Sequence, residues 1–448
     1  MLNLSRAYPR VRTYYLLLST TQAVGRSKGK MSPKVQENGT QPRMDSKGDM
    51  KKITYVAPSL VERLVYCWYM WAMKGFSAPF IWYRDWMEWY YPPDGRPEIV
   101  KAYECRPHLP VRLFFPASYD RNSQTKLPAL VAIHGGGFCF GTARDADEWA
   151  RAFADQHSTL VVCPSYSKAP WSPFPAALND IEAIYKAIVG DESLPISKSQ
   201  VAIAGWSAGG NLAMAVSQMP GIRALSPGAP SAAITIYGAM DMSVSAADKA
   251  KTRWYKTRLQ HPRGQTEDGL FKLAPLCDWG YIPFGTDLRH PLLSPGFADE
   301  RNLPPYVCVV AAELDMLAHE SWRFAVRLDN ERFPERHRDV PDPASEDPEL
   351  AVAGRKAPSR RRGRLEEEDG GDDRFGWEDN GDGFGVKWML VPDALHGFDC
   401  ASIRLMTGGW DAVKDAEMKT KVEIERLGRW LRTKVWKIDE EKKSTESD

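Results

Sequence analysis

A serine between glycines stands where an apolar run gives way to a helical pattern. Gly205-Trp206-Ser207-Ala208-Gly209 fits the pattern GxSxG and follows the apolar residues 201–204. At a strand-to-helix turn of this kind, glycines relieve crowding and the strained backbone exposes the serine hydroxyl. A serine hydroxyl is a weak nucleophile until a base takes its proton and a third group orients that base. The motif therefore predicts nucleophilic chemistry only if such partners follow.

A candidate acid and a candidate base follow two later predicted strands. Asp315 comes after the apolar run 306–311, and His396 comes after the run 387–391. In enzymes that carry GxSxG at a strand-to-helix turn, the three residues follow in the chain order serine, acid, histidine. We predict Ser207 as nucleophile, His396 as base and Asp315 as orienting acid.

Other interpretations of these residues remain open. Asp315 could cap the helix that follows it, because aspartate is common at helix N-termini. Glu313 and Asp393 are then the reserve acids. His396 could be an ordinary surface histidine.

A glycine run follows the predicted strand 129–133. In His134-Gly135-Gly136-Gly137-Phe138, residues without side chains let backbone N–H groups point into a cleft. We predict that the N–H groups of Gly135, Gly136 and Ala208 form an oxyanion hole and that Gly137 supports the turn. His134 is expected to buttress this loop.

Several cofactor and partner classes are not supported. Phe140 stands where a dinucleotide loop needs its third glycine, and His319-Glu320 lacks the second histidine of a zinc motif. We predict neither a metal nor an organic cofactor. With 59 Lys+Arg against 58 Asp+Glu, the chain lacks the basic surplus that nucleic-acid binding needs.

The elements that must position these residues alternate between strand and helix patterns. This alternation predicts an α/β fold with a mostly parallel sheet and helices on both faces, whose chemistry lies at the carboxyl ends of the strands. The predicted strands are 111–115, 129–133, 159–163, 201–204, 233–237, 306–311 and 387–391. The predicted helices are 145–156, 176–189, 209–218, 319–330 and 417–436.

Segments at the ends and inside the chain have another composition. Residues 1–50 are basic, without an acidic residue before Glu37, which is typical of a mitochondrial presequence, a disordered tail or a start assigned too early. Residues 335–385 carry blocks of both charges and few apolar residues, so we predict a disordered insertion. Residues 439–448 form a charged tail. Seven cysteines without a CxxC pair favour a reducing, intracellular compartment that is mitochondrial, membrane-associated or cytoplasmic.

An aromatic-rich segment occupies residues 51–100. Lys74 and Pro79 interrupt its apolar run, which disfavours a membrane span. The segment is expected either to cover the active site and contact a membrane surface peripherally, or to pack as an ordinary core helix. We predict substrate contacts for the side chains Phe138, Trp206, Trp68, Trp71, Trp82 and Trp86.

Taken together, the motifs resemble the hormone-sensitive-lipase group of α/β hydrolases. HGGGF, GWSAGGN, ELD at 313–315 and HGF at 396–398 follow in that group's order. The resemblance covers about residues 100–335 and 386–436 and implies a hydrolase domain at 101–334 and 386–438. It also implies a helical cap made from 51–100 and 243–290. Trp206 departs from the group, which has an acidic residue before the nucleophile.

The resemblance implies a serine carboxylic-ester hydrolase with a small-molecule ester as substrate. The tryptophans of the predicted cap suggest that this ester is apolar. A non-catalytic receptor for a small ligand on the same scaffold is one alternative. The presence of His396 disfavours it. A hydrolase of amide bonds is a second alternative. An interaction protein that works through residues 335–385 is a third.

Overall fold

The computed structural model describes residues 52–252, 269–338, 375–404 and 410–438. The strands are β1 Ile99–Lys101, β2 Val111–Phe114, β3 Leu127–Ile133, β4 Leu160–Pro164, β5 Ile196–Trp206, β6 Ala232–Ile236, β7 Tyr306–Ala312, β8 Gly376–Asn380 and β9 Gly385–Val391. The helices are α1 Leu60–Tyr90, α2 Asp147–His157, α3 Ala176–Gly190, α4 Ala208–Ser217, α5 Pro220–Arg223, α6 Ala246–Lys251, α7 Gly269–Tyr281, α8 Ala318–Arg332, α9 Ala401–Arg404 and α10 Trp410–Trp430, the last continuing as a π-helical turn Leu431–Val435.

The nine strands of the described residues form one sheet in the order β1-β2-β4-β3-β5-β6-β7-β9-β8. Its central part from β4 to β9 is parallel, and β1, β2 and β8 are antiparallel to their neighbours. Alternate residues of β3 pack into different apolar clusters, Val131 into one and Leu130 into the other. The sheet is therefore buried on both faces, as near-continuous apolar strands require. The predicted α/β fold with a mostly parallel sheet that is covered on both faces is confirmed.

Two strands escaped the sequence prediction. β1 has only three residues, too few for an alternating pattern. β8 lies inside the segment that we predicted to be disordered. It pairs with β9, Trp377 on it is buried, and Asp379 accepts a hydrogen bond of 2.6 Å from Arg338. The prediction of disorder is thus wrong for residues 375–385, because tertiary pairing and burial stabilise a strand that its polar sequence disfavours.

Other predicted segments lie outside the described residues. These are 1–50, 339–374 and 439–448, so their predicted character stays a prediction.

Three helices form a cap beside the sheet: α1, α6 and α7. α7 contacts both of the others. α1 begins in a capping box, in which the Ser59 hydroxyl accepts from the Glu62 N–H at 3.3 Å and the Glu62 carboxylate accepts from the Ser59 N–H at 2.8 Å. None of the described helices is long and apolar enough to cross a bilayer.

Strand register brings the predicted site segments together. Ile133 at the end of β3 is paired with Gly205 in β5, so the glycine run emerges beside the serine turn. Ala312 at the end of β7 is paired with Val391 at the end of β9. The loops that carry the candidate acid and the candidate histidine therefore leave the same edge side by side.

Candidate active site

The serine turn adopts a conformation that depends on its glycines. Ser207 has φ 55° and ψ −119°, between β5 and α4. A Cβ atom at Gly205 would lie 2.2 Å from the Gly209 carbonyl oxygen, and one at Gly209 would lie 2.0 Å from the Ile133 carbonyl oxygen. Neither position admits a side chain. The two glycines of GxSxG are thus what let helix α4 start directly behind the serine.

Three side chains from three loops form one hydrogen-bonded series. Ser207 Oγ lies 2.9 Å from His396 Nε2, and His396 Nδ1 lies 2.6 Å from Asp315 Oδ2. Asp315 is buried, and its other oxygen accepts the Leu317 N–H at 2.9 Å, which fixes the carboxylate. Such an arrangement can pass the serine proton to the imidazole and stabilise the imidazolium that results. The structure brings together the three residues that we predicted from motif order.

The reserve acids lie elsewhere in the same loops. Glu313 is buried, and its Oε2 accepts the Asp393 N–H at 2.8 Å. This hydrogen bond ties the loop after β7 to the loop after β9. The Glu313 carboxylate therefore has a structural role of its own, and the acid that contacts His396 is Asp315.

The glycine run after β3 packs against the serine turn. Gly136 has φ 114°, and a Cβ there would lie 2.2 Å from the Phe140 carbonyl oxygen. A Cβ at Gly135 would lie 2.9 Å from the Trp206 carbonyl oxygen. Gly137 has φ 57° and lets Cys277 of the cap approach, since its Cβ would lie 2.6 Å from that sulfur.

His134 is buried beneath this glycine loop. Its ring stacks on Tyr166 with centroids 4.5 Å apart, and its Nδ1 lies 2.7 Å from the Gly135 carbonyl oxygen. Burial, and then the charge of Lys168, lower the pKa of His134 well below its ordinary value. A neutral, packed imidazole fits the predicted buttress.

A cavity of about 420 Å³ lies over the serine. Its lining includes Ser207 and His396, both predicted contacts Phe138 and Trp206, and apolar side chains of the cap such as Met73 and Leu273. Space of this size enclosed by apolar side chains suits a small apolar ligand. The cap and the sheet edge therefore share one binding space.

The other four predicted contacts require a correction, because they do not line this cavity. Trp68, Trp71, Trp82 and Trp86 are exposed, from 45% for Trp86 to 68% for Trp82. At 100° per residue they fall on one stripe of α1, about opposite to Met73, which does line the cavity. Aromatic content alone cannot reveal which face of the helix turns inward.

Asp399 lies beside the site and was not predicted from the sequence. Trp206 Nε1–H donates to Asp399 Oδ2 at 2.6 Å, and the Tyr237 hydroxyl donates to Asp399 Oδ1. The Tyr237 ring lies 4.7 Å from the His396 ring, centroid to centroid. Burial raises the pKa of Asp399 to about 6. The residue before the nucleophile is thus not acidic itself, but its side chain contacts an acid from the loop that follows β9 and carries His396, here called the histidine loop. The spacing of motifs does not reveal such a long-range contact.

A family model described as the alpha/beta hydrolase fold matches residues 130–342. The chain is 31% identical over 199 residues to an acetyl-hydrolase of Streptomyces hygroscopicus, an alignment that covers 44% of this chain and 60% of that protein. It is 38% identical over 115 residues to the human arylacetamide deacetylase-like 2, covering 25% of this chain and 28% of that protein. The chain thus spans less than two thirds of these relatives.

Solved structures carry the same fold. An esterase of Pyrobaculum calidifontis superposes with a TM-score of 0.53 at 20% identity, over 84% of this chain and 99% of that one. The carboxyl esterase 2 of Tuber melanosporum superposes with a TM-score of 0.51 at 18% identity, over 76% and 87% of the two chains. The chain thus has the fold of the α/β hydrolases, and these relatives support its resemblance to their hormone-sensitive-lipase-like esterase group.

Proposed function

We propose that the protein is a serine carboxylic-ester hydrolase that acts on a small apolar ester. One observation carries the proposal: Ser207 Oγ lies 2.9 Å from His396 Nε2, and the other ring nitrogen lies 2.6 Å from the buried Asp315 carboxylate. The series opens into a cavity lined mainly by apolar side chains. Nucleophile, base and binding space are thus adjacent.

The reaction proceeds through an acyl-enzyme. His396 takes the hydroxyl proton as Ser207 Oγ bonds to the ester carbon, and the carbonyl electron pair moves onto oxygen. N–H groups of Gly135, Gly136 and Ala208 donate hydrogen bonds to this oxyanion. The imidazolium then protonates the departing alcohol as its C–O bond breaks.

Water completes the cycle at the same centre. His396 takes a proton from water while the hydroxide formed attacks the acyl carbon. Collapse of the second tetrahedral intermediate breaks the bond to Ser207, whose oxygen recovers the proton from the imidazolium. The carboxylic acid leaves. This chemistry needs no metal or organic cofactor.

The test is hydrolysis of p-nitrophenyl esters from acetyl to palmitoyl by wild type and Ser207→Ala. We expect turnover of the wild type with an optimum at an acyl length that fits the cavity. Loss of the nucleophile is expected to lower kcat by about 10⁶-fold. An unchanged circular dichroism spectrum would show that the variant is folded. Equal turnover by the two proteins would refute the proposal.

Amide hydrolysis is the second candidate reaction. The name of the human relative, arylacetamide deacetylase-like 2, favours including it. The same protein pair assayed on p-nitroacetanilide compares the two bonds directly. If the anilide were turned over faster than the acetate ester, the bond assignment would change while the roles of the three residues would stand.

The receptor alternative predicts a different result. A binding protein on this scaffold would leave every ester and amide intact and would not react with a fluorophosphonate probe. Labelling of wild type but not of Ser207→Ala would exclude it.

We also propose that the esterase contacts membranes peripherally through an aromatic ridge on α1, composed of Trp68, Trp71, Trp82, Trp86 and Trp89. They are separated by 3, 11, 4 and 3 positions, which at 100° per residue puts all five within an arc of about 60°. All five tryptophans are exposed, Trp89 by 76%, and Leu60 and Leu64 extend the same stripe.

Tryptophan side chains favour the headgroup region of a bilayer, where amphipathic helices lie flat. An apolar ester dissolved in lipid would then reach the cavity along the opposite face of α1.

A further inference from the structure

Helix α7 turns one stripe of residues toward the cavity. The positions that line the cavity are 270, 273, 274, 277 and 278, the three- and four-residue spacing of a single helix face. Four of these residues are weakly polar or apolar, namely Leu270, Leu273, Ala274 and Cys277. The fifth is Asp278. A carboxylate at the end of an apolar stripe calls for an explanation.

No described residue makes a hydrogen bond with the Asp278 side chain. Burial raises the pKa of Asp278 to about 6, against the opposing charge of Lys249. Near neutral pH the Asp278 carboxyl is therefore chiefly ionised. It has lost part of its hydration without accepting a hydrogen bond from the described part of the chain.

Lys249 also lines the cavity, but another acid already holds it. Its Nζ lies 2.6 Å from Glu320 Oε2, and both side chains are more than nine-tenths buried. The Glu320 carboxylate is fixed in turn, because its Oε1 accepts the Met240 N–H at 2.8 Å. The lysine and the glutamate therefore compensate each other. Asp278 remains as an acceptor without a matching donor in the cavity wall.

This imbalance has a consequence for ligands. A purely apolar molecule in the cavity would strip water from the carboxylate and return no hydrogen bond, which disfavours binding. A molecule with an O–H or N–H group at that point would replace the lost water. A site built around a polar group discriminates far more sharply than an apolar pocket does.

We propose that Asp278 is a specificity-determining residue that accepts a hydrogen bond from a donor on the substrate. The preferred substrate is accordingly an apolar ester that carries a hydroxyl or ammonium group away from the scissile carbonyl. This inference rests on the proposed esterase function and narrows its substrate class.

Two series of esters test it, because the donor could lie in either half of the substrate. The first contains p-nitrophenyl hexanoate, octanoate and decanoate with their ω-hydroxy and ω-amino counterparts. The second contains hexyl and octyl acetate with their ω-hydroxy and ω-amino counterparts. The measured quantity is the ratio of kcat/KM for a donor-bearing ester to that for its alkyl parent, in wild type, Asp278→Leu and Asp278→Asn.

We expect wild type to favour the donor-bearing ester at least about tenfold in one of the series, as for a hydrogen bond to a charged group. Asp278→Leu should reverse the ratio by favouring the alkyl ester. Asp278→Asn keeps an acceptor without charge, so it should retain part of a preference for hydroxyl and lose a preference for ammonium. Asp248→Asn, on the exposed side of α6, is the matched control and should resemble wild type.

The two proposals fail differently. If the ratio in Asp278→Leu equals that in wild type for both series while turnover still depends on Ser207, the role of Asp278 is refuted and the esterase stands. If no ester is hydrolysed in a manner that depends on Ser207, the proposed function itself is refuted.

Discussion

The Ser207 backbone stores strain at the point where the hydroxyl must be exposed. With φ 55° and ψ −119°, it has the dihedral angles of the first central residue of a type II′ turn, a position that glycine normally occupies. A residue with a Cβ pays of order 1–3 kcal/mol for such a conformation. The hydrogen bond from the Ser207 N–H to the Ile236 carbonyl, 2.9 Å long, helps to hold the residue there.

Replacement of this serine by glycine should therefore stabilise the fold. We expect Ser207→Gly to have a free energy of unfolding higher than that of Ser207→Ala by on the order of 1 kcal/mol. Both variants lack the hydroxyl and should be equally inactive. Urea denaturation followed by tryptophan fluorescence measures the difference. A glycine variant no more stable than the alanine variant would mean that the turn is not strained.

Much of the candidate site could be predicted from local sequence. The positions of Ser207, Asp315 and His396 follow from motifs at the ends of predicted strands, because parallel strands deliver those ends to one edge. Asp399 and Asp278 could not be found in this way. Asp399 meets Trp206 across 193 positions, and Asp278 stands out only once the cavity-facing stripe of α7 is known.

At the scale of elements, long periodic or apolar segments were predictable and short or polar ones were not. β3 and β7 are apolar runs buried on both sides, and β9 departs from this pattern only at the partly buried Lys387, so composition indicates all three. β8 reads Gly-Trp-Glu-Asp-Asn and owes its conformation to β9. For α1, composition indicated a cap helix, but the inward face depends on packing, which is why its tryptophans were assigned to the wrong side.

The aromatic ridge of α1 leads to a prediction about lipid binding. We expect wild type to co-sediment with phosphatidylcholine vesicles and the triple variant Trp68→Gln/Trp82→Gln/Trp89→Gln to stay in solution, because the three most exposed indoles of the ridge are gone. Hydrolysis of p-nitrophenyl acetate in solution should not change, since none of the three lines the cavity.

Trp410→Gln provides the matched control. Trp410 is 78% exposed but belongs to α10, outside the ridge, so its replacement should leave vesicle binding intact. A parallel assay with phosphatidylserine vesicles separates apolar insertion from charge attraction. If the triple variant bound phosphatidylcholine vesicles as well as wild type does, α1 would not be the membrane contact.

Across the whole molecule, the core on one face of the sheet contains an acid that the proposed mechanism does not use. Glu423 on α10 is fully buried, and neither of its carboxylate oxygens has a hydrogen-bond partner among the described residues. Burial, and then the negative charge of Asp399, raise the pKa of Glu423 well above its ordinary value of 4.5. The C-terminal helix and the histidine loop are therefore coupled electrostatically through the interior.

The raised pKa of the buried Glu423 should make stability fall as pH rises. A carboxyl with a raised pKa in the folded state keeps a proton that the unfolded chain has already released. Its contribution to stability is therefore greatest below pH 4.5 and declines toward the folded-state pKa, by up to about 1.4 kcal/mol per pH unit.

Glu423→Gln cannot titrate, so the free energy of unfolding of the variant minus that of wild type should increase between about pH 5 and pH 8. Urea denaturation across this range measures it, with Glu417→Gln on the exposed side of α10 as the control that should follow wild type. Parallel curves for Glu423→Gln and wild type would mean that Glu423 is ionised in the folded protein, and the interior around Asp399 would then have to accommodate two negative charges.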